Sequence, residues 1–309
     1  ITTLKQHRSK DVHRIILDSF IISNTENFLK VSSTVYRVSN CSDTVYFLTE
    51  NNDVYKVYQN KLLDKFSLKD VGEFWYFSIC RNDTIIFNVK KNTIRLNNKI
   101  KQTLSDKIIG MAKIDDTNFV VSATKESQNF LSFYNLNTNN ITNDYNLYTN
   151  LGFLDSDYQA KSISSQISEG MFCETKKSIL YLIFRAGNFI VYDKLSKKFN
   201  LHSTIDSIPF SKIVSKKIPY KDTIVEMPNL QDDDFLNYSI TASDSSIFIL
   251  SNAGRQNNCN YIDVYDIKTY KYLHSIKVIK DKDGAEAFEI KFVNKNMYIL
   301  YNNEKIFFR

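Results

Sequence analysis

Four acids stand where they could act on one point. Glu73, Glu169, Asp234 and Glu286 each fall at or just before a short apolar strand, and "QDDDF" sets Asp232 and Asp233 beside Asp234, with Asn237 close by. Carboxylates that converge repel one another unless a cation neutralises them, and a hard, oxygen-seeking ion such as Ca²⁺ meets that need. The competing reading is a set of solvated loop acids that never meet. Aromatic residues accompany the same strand starts: Trp75, Tyr76, Phe153 and Tyr158, with Arg185 in a hairpin loop. Exposed rings and a guanidinium can stack on a sugar or a peptide. Their alternative is packing between neighbouring sheets.

Other chemistries find less support. None of the four histidines, His7, His13, His202 and His274, falls in a first strand, so no Ser-His-Asp or metal-histidine centre is expected. The four cysteines, Cys41, Cys80, Cys173 and Cys259, form no CxxC and no zinc spacing. Cys41 and Cys80 occupy equivalent places in neighbouring repeats, and a disulfide between them requires Cα atoms within about 7 Å.

The elements that must position these residues are repeated. "VYRVSNCSDTVYFL" from Val35 has the form of a short strand, a polar turn and an apolar strand. The same form recurs as "FWYFSICRNDTIIF" from Phe74, "IIGMAKIDDTNFVV" from Ile108 and "EGMFCETKKSILYL" from Glu169. It returns as "NYSITASDSSIFIL" from Asn237 and "AFEIKFVNKNMYIL" from Ala287. Each is followed by a third strand, and five of them by a fourth, such as "LLDKFSL" and "YLHSIKV". Four antiparallel strands repeated six times predict an all-β, six-bladed β-propeller, because one such sheet cannot cover both its faces alone. The whole chain, 1–309, is expected to form a single domain. The last repeat stops at Arg309 after its third strand, so an N-terminal strand should complete it. "HRIILDSFI", residues 13–21, is the expected segment. Turns such as "DIKT" rely on Asp and Thr bonding to local backbone, which suits a chain with only 7 glycines. Two stretches between blades, 148–168 and 205–235, the second carrying all 3 prolines, read as loops on the ligand-binding face.

The phrase "VYDIKT" at 264–269, echoed by "YDKLSKKF" and "YNLNTNNI", resembles the YVTN and TolB-like propeller repeats. The Ser-Pro-Asp-Gly turn of those repeats is reduced here to "CSDT", "IDDT" or "ASDS". The resemblance covers essentially the whole chain and implies the fold. It extends to exported six-bladed proteins of Bacteroidetes, and heavy use of Asn, Lys, Ile and Tyr suggests an AT-rich genome. Resemblance to six-bladed lactonases, which use acidic and amide ligands at the propeller axis, makes Ca²⁺ held by Glu73, Glu169, Asp234 and Glu286 the sharper reading of those strand-start acids.

The net charge of +6 comes from 40 basic and 34 acidic residues, and the basic ones are scattered rather than gathered into a patch. Nucleic acid is therefore not an expected partner. No apolar run approaches the ~20 residues that span a bilayer. The expectation is a monomeric, non-catalytic binding or scaffold propeller in the periplasm, at the cell surface or secreted. It would need no cofactor and would hold a protein or glycan through Trp75, Tyr76, Tyr158, Arg185, Asp232 and Asp233. The alternative is a calcium-dependent, lactonase-like hydrolase built on the acid ring.

Overall fold

The structure, a computed structural model, describes residues 14–20, 28–68, 76–80, 83–88, 93–96, 99–103, 107–125, 128–151, 168–206, 215–220, 223–228, 235–253, 258–280, 284–303 and 305–308. Apart from one helical turn, Leu147–Asn150, the regular structure in these residues is β-strand. The fold class is a six-bladed β-propeller. Blade one is Val35–Cys41, Thr44–Thr49, Asp53–Tyr58 and Lys61–Ser67, and blade two Tyr76–Cys80, Asp83–Asn88, Thr93–Leu96 and Lys99–Thr103. Blade three is Lys107–Lys113, Asn118–Lys125, Gln128–Asn135 and Asn140–Asn146, and blade four Gly170–Glu174, Ser178–Ile183, Asn188–Asp193 and Lys198–Ser203. Blade five is Asn237–Ala242, Ser246–Ser251, Cys259–Asp266 and Tyr272–Ile279, and blade six opens with Ala287–Val293, Asn296–Tyr301 and Lys305–Phe308. The chain divides into two compact units, one of residues 106–238 and the other of 14–105 with 239–309.

Strand periodicity explains how blades pack within each unit. Successive side chains of a strand point to opposite faces. In blade one, Val45 and Phe47 join Val293, Tyr298 and Leu300 of blade six in one core, while Tyr46 and Leu48 join Phe77, Ile79 and Ile86 of blade two in another. The second strand is thus covered on both faces and reads as a continuous apolar run. In the other unit, Ala112, Val120 and Leu131 of blade three meet Ile179, Tyr181 and Ile190 of blade four. Hydroxyls stitch first strands together between blades one and two and between blades five and six. The Ile79 amide donates to Ser39 Oγ at 3.3 Å, the Ile290 amide to Ser239 Oγ at 3.2 Å and the Phe292 amide to Thr241 Oγ1 at 3.0 Å. A first strand is the edge of its sheet, and these bonds occupy edge amides that no strand pairs.

The turns expected to reverse without glycine do so. In "DIKT", Asp266 Oδ1 accepts from the Lys268 amide at 3.0 Å, the Thr269 amide at 2.7 Å and Thr269 Oγ1 at 2.9 Å. Asp193 and Asn135 do the same in blades four and three. Four residues on, Tyr270, Lys197 and Asn139 each take positive φ, from 54° to 57°, and donate their amides back to the Asp266, Asp193 and Asn135 carbonyls. One local geometry recurs in three blades.

Two expectations are corrected. Blade six is completed by an N-terminal strand, but the strand is Phe28–Lys30, antiparallel to Lys305–Phe308, with Leu29 opposite Ile306. The earlier segment, Ile16–Phe20, instead runs parallel to Tyr272–Ile279 as a fifth strand on blade five. Electrostatics explain the choice. Arg14 Nε and Nη2 donate to the two Asp263 oxygens at 2.9 and 3.0 Å, and the Ser275 amide donates to the Ile15 carbonyl at 2.8 Å. Asp263 lies on the third strand of blade five with its side chain 1% exposed, and that carboxylate requires a cation. The second correction concerns 205–235, which holds a hairpin, Ser215–Tyr220 with Thr223–Pro228, rather than loop alone.

Candidate functional site

The residues singled out from the sequence that the structure brings together lie at one end of blade four. The turn at residues 184–187 joins its second and third strands. The Phe184 amide donates to the Glu169 carbonyl at 3.0 Å, beside the start of the first strand. The amides of Leu236 and Asn237 both donate to the Phe184 carbonyl, at 2.8 and 3.0 Å. The backbone of one residue therefore holds Glu169 on one side and the 235–238 segment on the other. Asn237, 1% exposed, adds its side chain: Nδ2 donates to the carbonyls of Ile183 at 3.2 Å and Ala186 at 2.9 Å. Those two carbonyls fix the amide's orientation, so Oδ1 faces the other way. It is buried with no hydrogen-bond partner among the described residues.

Arg185 projects from the turn onto an aromatic group. Its guanidinium lies 4.1 Å from the centre of the Phe235 ring, a cation–π contact. Phe235 meets Phe184 edge-on at 5.7 Å and Tyr238 at 6.2 Å, and all three rings keep partial exposure. Arg185 itself is 7% exposed. Below the platform, Tyr181 is buried and its hydroxyl donates to the Ser168 carbonyl at 2.7 Å. Burial, reinforced by the Glu169 charge and opposed by the Ser122 hydroxyl, pushes the Tyr181 phenol far above its ordinary value, so it stays protonated. Asn129 of blade three closes the base, donating from Nδ2 to Ser168 Oγ at 2.9 Å. Gly170 is required at this point: a Cβ there would strike the Leu182 carbonyl and the Tyr181 ring.

A cation, three rings, an acid and amide groups make recognition chemistry: stacking, hydrogen bonding and charge pairing. Glu169 and Arg185 of the expected set are here. Glu286 belongs to the other unit, where it forms an ion pair with Lys280 Nζ at 2.6 Å and its amide donates to Asn302 Oδ1 at 3.0 Å. Glu73, Trp75, Phe153, Tyr158, Asp232, Asp233 and Asp234 lie outside the described residues, as does the side chain of Tyr76. Among the described residues no group of three His, Cys, Asp or Glu side chains is placed to hold a metal. His202 and His274 lie on fourth strands; His202 stacks on Phe189 at 5.4 Å, and burial lowers its pKa. Phe184, Phe235 and Tyr238 were missed. The signal was present for two of them: "DFLNY" places rings on both sides of an Asn just where a long insertion rejoins the repeat.

The sequence matches no protein-family model and no curated protein. Solved structures share the fold. A chain in the crystal structure of a nidogen/laminin complex aligns with a TM-score of 0.50 at 7% identity, over 84% of this chain and 85% of that one. BamB from Moraxella catarrhalis aligns at 0.43 and 8% identity, over 88% and 81%. PorZ, a bacterial surface component of the type-IX secretion system of Porphyromonas gingivalis, aligns at 0.46 and 13% identity, over 90% of this chain and 37% of that one. The nidogen/laminin alignment, at 7% identity, speaks for the fold alone. No helix among the described residues is long and apolar enough to cross a membrane.

Proposed function

We propose that this protein is a non-catalytic binding or scaffold propeller, exported to the periplasm or cell surface, which holds a protein or glycan partner. The observation that carries the reading is the platform at the end of blade four, where Arg185 lies over Phe235 with Phe184 and Tyr238 at its flanks. The rings offer large contact area with few rotatable bonds, and the guanidinium adds a fixed charge. The frame beneath is rigid: hydrogen bonds of 2.7 to 3.2 Å tie Ser168, Tyr181, Phe184, Ala186 and Asn237 together. Recognition groups on a rigid frame lose little entropy on binding.

The test places a photo-crosslinking amino acid at Tyr238 and, as a control, at Leu63, which is 56% exposed on the outer strand of blade one. Both proteins are irradiated in the source cells, and the purified protein is screened on a glycan array. The reading expects a defined adduct from position 238 but not 63, or a glycan signal lost in Phe235→Ala. Equal adducts from both positions, with no glycan signal, would show that the platform is not the binding site.

A further inference from the structure

We infer that Cys41 and Cys80 are joined by a disulfide that staples blade one to blade two, and that the protein matures in an oxidising compartment. Cys41 is disulfide-bonded. The chain has 4 cysteines, and two of them, Cys173 and Cys259, are buried and stand outside any disulfide. The side chain of Cys80 lies outside the described residues, so the pairing rests on that arithmetic and on strand register. Register supports it. Cys41 pairs with Thr44, and Cys80 with Asp83, so each is the last residue of its first strand. The two first strands are neighbours, since the Ile79 amide reaches Ser39 Oγ at 3.3 Å. Ile79 is one residue before Cys80, and Ser39 two before Cys41. Cys41 also packs on the core shared by the two blades, against a cluster holding Phe77 and Ile79.

The bond joins edges that have little else to hold them. Among the described residues no strand pairs with the free side of either first strand, and the joint is otherwise the core around Phe77 and Ile79 with the Ile79–Ser39 hydroxyl bond. Formation is thiol–disulfide exchange: the two thiols give two electrons and two protons to a disulfide donor, which leaves as two thiols. Such bonds persist where that donor is kept oxidised, in the periplasm or outside the cell, and are rare in a reducing cytosol. The inference bears on the export half of the proposed function and does not depend on what the blade-four platform binds.

The full chain, expressed with export to a bacterial periplasm, is denatured without reductant, alkylated and digested with trypsin. We expect two alkylated cysteines without reduction and four after it. We also expect one linked pair, peptide 38–56 with peptide 70–81, about 2 Da lighter than the two thiol peptides together. Reduction is expected to lower the Tm of the native protein by about 5–10 °C, and Cys41→Ser with Cys80→Ser should show the lower Tm with or without reductant. Four alkylations without reduction, a link to Cys173 or Cys259, or a covalent dimer would overturn the pairing, whether or not the variant folds. Fractionation of the source cells tests compartment separately. Extracytoplasmic protein with free thiols would refute the disulfide and leave export standing, while a linked pair in cytosolic protein would refute the compartment.

Discussion

The Arg14–Asp263 pair should decide whether the N-terminal strand stays on blade five. Removing one partner of a buried ion pair ordinarily costs about 3–5 kcal/mol, because the other charge is left unpaired. Asp263 is buried, and besides Arg14 it accepts from Ser275 Oγ at 2.5 Å. Arg14→Ala has a cheaper way out. Ile15, Ile16 and Leu17 are 56%, 46% and 67% exposed, so these three residues bury little apolar surface. Its ladder with Tyr272–Ile279 is short and broken by an irregularity between Ile16 and Asp18. A few net hydrogen bonds of about 1 kcal/mol each, set against the entropy of ordering the segment, leave roughly 1–2 kcal/mol for docking. Releasing the strand and hydrating Asp263 therefore costs less than keeping an unpaired carboxylate buried. Urea unfolding of Arg14→Ala should show a loss of about 1–2 kcal/mol, and hydrogen exchange should speed up in residues 15–20 and at the facing edge of 272–279 only. A loss of 3 kcal/mol or more with residues 15–20 still protected would refute the argument, since the strand would then be docked by something other than the pair. An unchanged stability and exchange pattern would refute it from the other side.

Other outcomes follow from the same geometry. Deleting residues 1–22 should leave a soluble monomer because Phe28–Lys30 remains, whereas deleting 1–30 exposes the Lys305–Phe308 edge and should produce aggregates by light scattering. Glu289, which keeps partial solvent access but lies deep in the protein, is pushed from 4.5 to about 7 by burial, with the charges of Arg37 and Lys291 opposing. Its folded pKa is raised, so its contribution is fully present below about pH 4.5 and is lost as pH rises through about 7. Glu289→Gln should accordingly gain on the parent protein by roughly 1–3 kcal/mol between pH 5 and 8, measured by urea unfolding. Ca²⁺ and EDTA should leave the Tm unchanged under the binder reading. A Ca²⁺-dependent rise lost in Glu169→Gln would favour the hydrolase reading instead.

What the sequence made legible was local. Six copies of strand, turn and strand could be counted because alternation and Asx-type turns are written within about a dozen residues. The misplaced pieces depend on distant partners. Phe28–Lys30 is too short to read as a strand, and its register comes only from Ile306 and Phe307 some 280 positions away. The hairpin at 215–228 was hidden by its prolines. Pro219 and Pro228 sit in a two-stranded sheet, where each strand has a free edge and a missing amide breaks no ladder. Ser39, Ser239 and Thr241 are polar residues of first strands, yet they are 6%, 0% and 1% exposed because they serve the next blade's backbone.

The same logic explains why the candidate site was only half visible. A repeat is detected by what its copies share, and what they share is the frame: the apolar second strand, the turn and the edge bonds. Recognition needs a surface found once, so its groups lie where one copy departs from the others. In blade four the departure is the turn at 184–187 together with Phe235, which arrives on the end of the 205–235 insertion. Arg185 could be suspected from its charge and Glu169 from its place at a strand start. Phe235 stands out in "DDDFLNY" as a ring where an insertion rejoins the repeat, but nothing local says which blade's turn that ring will meet. That information resides in the two bonds from the Leu236 and Asn237 amides to the Phe184 carbonyl, which exist only once blade four has folded. The platform is thus a consequence of the frame's completion, and a variant that loosens the frame, such as Gly170→Ala, should lose the platform before it loses the blade.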